Sequence, residues 1–165
     1  MMHKKYLSKG FSLIEVIIYG ALLSVFMLIM SDLFVSTLDV KLESDATSVL
    51  EQDARFILTR FMYDIPRADQ IVLPANIGDV QNQLVLEIGG ASYSYGVNGE
   101  NLELVADLVS GNLNGSETKV SGVSFERVGN TDGKNSIRLN FTLESVTKRR
   151  GGVEVRSFQT TIGQR

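Results

Sequence analysis

The side chains able to do chemistry are few. His3 is the single histidine, and the 165 residues include neither Cys nor Trp. That inventory excludes Ser-His-Asp and Cys-His nucleophilic catalysis and a zinc site of the usual ligands. Without Cys there is no disulfide staple, and the chain suits an oxidising or a reducing compartment equally. Asp64, Asp69, Asp79, Asp107 and Asp132 could hold calcium together with loop carbonyls. No EF-hand-like spacing joins them, so no metal or other cofactor is assigned. One carboxylate stands apart. From Phe11 to Met30 the chain reads FSLIEVIIYGALLSVFMLIM, and Glu15 is the one charge in it.

An acid inside such a run needs a partner or a function, because burying it in a membrane costs about 2.5–3.5 kcal/mol. As a helix, twenty residues span about 30 Å, the thickness of the hydrocarbon core. Lys4, Lys5 and Lys9 precede the run with no acid. Asp32, Asp39, Glu43 and Asp45 follow it against Lys41. The positive-inside rule then keeps the N-terminus in the cytoplasm and sends everything after Asp32 across the membrane. The run exceeds the 7–15-residue core of a secretory signal peptide, and no clear small-x-small cleavage site follows it. Gly20 and Ser24 form a small-xxx-small pair that lets helices approach closely in a bilayer.

The arrangement Lys9-Gly10-Phe11-Ser12-Leu13-Ile14-Glu15-Val16 resembles the cleavage and methylation signature of type IV pilins and pseudopilins. A short basic leader ends in Gly10, an aromatic residue follows, and an acid stands fifth in the would-be mature chain. The resemblance implies that prepilin peptidase cuts between Gly10 and Phe11 and that Phe11 is then N-methylated. It also implies that Glu15 pairs with the new α-amino group of a neighbouring subunit during filament assembly. Two groups that are each costly in an apolar bundle offset one another when they meet. Gly10 suits the position before a scissile bond, since an unbranched backbone enters a protease cleft without obstruction.

Past the apolar run the helical pattern continues. Leu38, Leu42, Ala46, Val49, Leu50, Ala54, Ile57, Phe61 and Ile65 recur at spacings of three and four. Glu51 and Arg55 are placed for an i,i+4 pair. No Gly or Pro interrupts Ala21 to Ile65, and Pro66 ends the pattern. The expected organisation is a leader over 1–10, a long helix over 11–65 with its membrane half over 11–31, and a β-rich head over 66–165. The helix would be about 80 Å long.

The expected strands are Gln83–Ile88, Ala91–Val97, Leu102–Ala106, Val120–Val128, Ser136–Ser145 and Val153–Ile162. Ile137, Leu139, Phe141 and Leu143 alternate with Arg138, Asn140, Thr142 and Glu144, the pattern of a half-buried strand. Asn98-Gly99 marks a hairpin. Pro74–Asn82 reads as a connector and Ser110–Ser116 as an exposed loop. In the last strand Val153 and Val155 share one face while Phe158 and Ile162 share the other, which a bulge or a change of neighbour would explain. Tyr93 and Tyr95 share a strand face, for core packing or a partner.

The fold class is therefore α+β, a long N-terminal helix against an antiparallel sheet, as in pilin-like proteins. Within that family the chain looks most like the J-type minor pseudopilins and related minor pilins. The segments that carry this are ARFILTRFMYDIPRA (Ala54–Ala68), Ser92–Gly99, VSGVSFERV (Val120–Val128) and QTTIGQR (Gln159–Arg165). Major type IV pilins differ in having a C-terminal Cys pair and a Pro in the membrane half of the helix.

The resemblance implies a structural subunit and not an enzyme, built into a type IV pilus or a type II secretion pseudopilus. Its implied partners are other pilin-like subunits along the N-terminal helix, prepilin peptidase and the inner-membrane assembly platform. The competing expectation is a single-pass, membrane-anchored β domain that binds a ligand or partner without polymerising. Lys148-Arg149-Arg150 could touch DNA phosphates. Loss of the leader, however, takes three bases and no acid, so sixteen bases against nineteen acids become thirteen against nineteen, a net charge of −6. That balance opposes general nucleic-acid affinity.

Overall fold

The computed structural model describes residues 10–107, 109–130, 134–149 and 151–165. His3 and the leader lysines, Asp132 and Arg150 lie outside the described residues. The chain divides after Lys41 into two compact units. One helix, α1 (Leu13–Asp64), contributes to both.

In the first unit α1 carries one stretch long and apolar enough to cross a membrane, and none of that stretch is buried within the protein. Three of its hydroxyl side chains bond back to the helix. Ser24 Oγ donates to the Gly20 carbonyl at 2.8 Å, Ser31 Oγ to Met27 at 2.9 Å and Thr37 Oγ1 to Leu33 at 2.8 Å. A hydroxyl satisfied this way by its own i−4 carbonyl asks nothing of an apolar surrounding.

In the second unit α1 buries Ala46, Leu50, Ala54, Ile57 and Phe61, one stripe at spacings of three and four. Leu38, in the first unit, and Leu42 of this one remain exposed, so the covered stripe is shorter than its apolar periodicity and begins at Ala46. After Asp64 the chain tightens into a 3-10 turn, Ile65–Arg67, because Pro66 offers no amide to continue the α-helical ladder.

Among the described residues nine strands follow: β1 (Gln70–Leu73), β2 (Val80–Gln81), β3 (Gln83–Ile88), β4 (Ala91–Asn98), β5 (Asn101–Ala106), β6 (Val109–Asn112), β7 (Thr118–Val128), β8 (Ser136–Ser145) and β9 (Val155–Gly163). They form two antiparallel sheets, ordered β1-β3-β4-β5-β6 and β2-β7-β8-β9. The architecture is α+β, as expected. Phe61 is the joint: its fully buried ring lies 4.7 Å from Tyr95 of the first sheet and 5.7 Å from Phe125 of the second.

The alternation in β8 is realised, with Ile137, Leu139, Phe141 and Leu143 buried and their polar neighbours half-exposed. At the Asn98-Gly99 hairpin the loop residues are Gly99 and Glu100, between paired Asn98 and Asn101. Gly99 takes φ +63° while Glu100 keeps a negative φ, the II′ arrangement that matches strand twist. Three short strands depart from expectation. β1 lies between the two prolines, β2 falls inside the expected connector, and β6 takes part of the expected loop. All have four residues or fewer, and β6 is exposed throughout, so no alternation marks it.

The last strand corrects the expected bulge. β9 begins at Val155 and pairs with β8 without a register shift, and Val153 lies outside it. In this sheet the irregularity is in β7, where Gly122 and Val123 oppose Phe141 alone and Gly122 has φ +61°. Only glycine takes that conformation freely.

Candidate functional site

The residues singled out by the sequence lie at the start of α1. Gly10 and Phe11 precede the helix in non-helical, exposed backbone, and Phe11 is 76% exposed. Nothing lies within 4 Å of where a Gly10 side chain would begin. The bond between them is thus open to solvent on the near side of the first helical turn.

Ser12 is the last residue before α1, which makes Glu15 the third residue of the helix. Its carboxylate reaches back, and the Ser12 backbone N–H donates to Oε2 at 3.5 Å. This is the Glu half of a capping box, in which an acid in the first turn satisfies an orphan amide and meets the positive end of the helix dipole. The other oxygen is also used: the Tyr19 hydroxyl donates to Oε1 at 3.2 Å. Tyr19 in turn packs its ring edge-on against Phe11, with centroids 6.4 Å apart. Sequence reasoning missed both Ser12 and Tyr19. The S-x-x-E spacing and the i,i+4 step from Glu15 to Tyr19 were the available signals.

In the second unit the polar groups serve to fix α1 on the sheets. Asp64 is buried at the C-terminal end of α1, where the dipole disfavours an anion. Arg60 offsets it with an ion pair at 2.5 Å, and the Tyr95 hydroxyl donates to the same oxygen. Asp53 accepts from the Gly115 amide at 2.9 Å and from the Thr118 hydroxyl, pinning the loop before β7. Glu51 meets Arg156 of β9 at 3.0 Å, a closer partner than Arg55 at 3.9 Å. Arg149 is held between Glu43 and Glu154, so this member of the basic run is spent within the protein.

Burial, and then the bond to Asp64, push the Tyr95 phenol above its ordinary value of 10.0. A raised folded value stabilises the fold fully below the unfolded value and loses that contribution as pH climbs above it. Between about pH 9 and about pH 11 the full chain should therefore lose about 1 kcal/mol more stability than Tyr95→Phe. Urea midpoints at the two pH values measure this, and equal losses would refute it.

Three of the five acids considered for calcium have separate commitments. Asp64 is bound as above, Asp69 accepts from the Gly89 amide, and Asp79 accepts from Asn76. Among the described residues no three acidic side chains come together as ligands. Tyr95 is a core residue under Phe61, and Tyr93 is half-buried against the same core.

The chain matches no family model, no curated protein and no solved structure. Among the described residues the fold and the site define an α+β protein with one helix long and apolar enough to span a membrane and, in that helix's first turn, an acid that caps the helix and accepts from Tyr19.

Proposed function

We propose that the chain is a minor pilin or pseudopilin, a structural subunit of a type IV pilus or type II secretion pseudopilus. The observation that carries the reading is the spacing Lys9-Gly10-Phe11 with Glu15 at the fifth mature position, at the head of a spanning helix. The exposed, non-helical bond between Gly10 and Phe11 supports it, since a peptidase needs extended backbone. So does a β-rich second unit whose hydrophobic stripe on α1 is covered by two sheets.

In this reading the precursor inserts with its basic N-terminus in the cytoplasm and its β-rich head outside, across the inner membrane. Prepilin peptidase hydrolyses the Gly10–Phe11 bond, and the amine of Phe11 gains a methyl group. The apolar helix then leaves lipid for the company of sister helices, and Glu15 pairs with the amine of a neighbouring subunit to set axial register. The partners are other pilin-like subunits and the assembly platform. A mature charge of −6 and the engagement of Arg149 by two glutamates argue against nucleic acid.

Intact-mass analysis of the membrane form, co-expressed with a prepilin peptidase, tests the reading. The expected species is residues 11–165 carrying one methyl group. An uncut chain would overturn it and leave the membrane-anchored β domain.

A further inference from the structure

From Phe11 to Leu38 every residue is exposed except Glu15, which is half-covered by its own helix. Four side chains in the apolar run carry polar atoms: Ser12, Glu15, Tyr19 and Ser24. Ser24 is satisfied by the Gly20 carbonyl. Glu15 and Tyr19 are satisfied by each other.

The pairing follows from helix geometry. Side chains lean toward the N-terminus, so a residue at i+4 lies over the turn that holds residue i. Tyr19 is eight residues past Phe11, about 12 Å along the axis and beyond easy reach of the headgroups. A phenol hydroxyl there needs a partner, as does the acid one turn above it. Phe11 packs against the Tyr19 ring at 78°, which steadies the hydroxyl on the Glu15 side.

We propose that Tyr19 is the resident partner of Glu15 in the unassembled, membrane-inserted subunit, holding Oε1 until the amine of a neighbouring chain replaces it. The proposal rests on the reading of Glu15 as the assembly residue. Tyr19 is a positioning residue: the exchange swaps one hydrogen-bond donor for another and moves no proton. While the phenol is in place, the carboxylate offers lone subunits little to associate through. Without it, an acceptor in the apolar run is left open, and open polar groups drive helix association in bilayers.

Tyr19→Phe tests this, because it keeps the ring against Phe11 and removes only the hydroxyl. The full chain, labelled through Asn130→Cys since it has no other thiol, is placed in phosphatidylcholine–phosphatidylglycerol vesicles without peptidase or other subunits. Energy transfer between labelled copies should report self-association about three- to tenfold stronger for Tyr19→Phe than for the parent. Adding Glu15→Ala should abolish that rise. Unchanged association, or a rise that persists without Glu15, would overturn the proposal. In lipid nanodiscs the Tyr19 13Cζ resonance should shift on Glu15→Ala, and a resonance that stays in place would overturn it equally. Both readouts precede cleavage. The assembly reading of Glu15 fails separately, if Glu15→Ala enters filaments normally.

Discussion

Glu15→Ala is expected to cut incorporation of the subunit into filaments by at least about tenfold while leaving cleavage after Gly10 intact. The size follows from two competing costs. Losing a first-turn cap costs about 0.5–2 kcal/mol, and a helix continuous from Leu13 to Asp64 absorbs that. Leaving a charged amine unpaired among apolar helices costs about 3–5 kcal/mol, which exceeds a hundredfold in an equilibrium. Glu15→Gln separates the two. Its amide oxygen can still accept from the Ser12 amide, while its NH2 replaces the oxygen that the Tyr19 hydroxyl uses, yet it carries no charge for the amine. It should cap nearly as well as the parent and assemble nearly as poorly as Ala. Quantitative blotting of sheared filaments against membrane-retained subunit measures both variants. Undiminished incorporation of either would remove the register role.

The second large effect is expected at the joint of the second unit. Phe61→Ala should destabilise it by about 3–5 kcal/mol, the range for a fully buried Phe. Its ring touches Tyr95 in one sheet and Phe125 in the other, so neither sheet alone can close the cavity. Phe56, five residues earlier on the same helix and off the buried stripe, is 56% exposed. Phe56→Ala should change stability by no more than about 0.5 kcal/mol. Urea unfolding of the two variants in the same detergent gives the contrast, and comparable losses would show that α1 is not held by this stripe.

The sequence made some of this plain and hid the rest for identifiable reasons. A ten-residue strand buried on one face, such as β8, repeats its signal often enough to be read. The hairpin at Gly99 announces itself because a positive φ restricts the choice of residue. Edge strands of two to four residues offer no period, and β6 has no buried residue to mark a face. The helical stripe predicted more burial than the sheets supply, since Leu38 and Leu42 fit the spacing but meet no covering layer. At the site, Gly10, Phe11 and Glu15 were legible from type and spacing. Tyr19 was not, because an aromatic in an apolar run looks like any other lipid-facing residue until its hydroxyl is seen against Glu15.

β7 is written in two reading frames. Thr118 and Val120 face inward at even positions, while Val123 and Phe125 do so at odd ones. Gly122 is the inserted letter between the frames. Deleting it would leave Val123 alone opposite Phe141 and Phe125 still opposite Leu139, so the two frames would merge into one unbroken alternation, and what the glycine adds is a local bend and twist rather than the facing of the core.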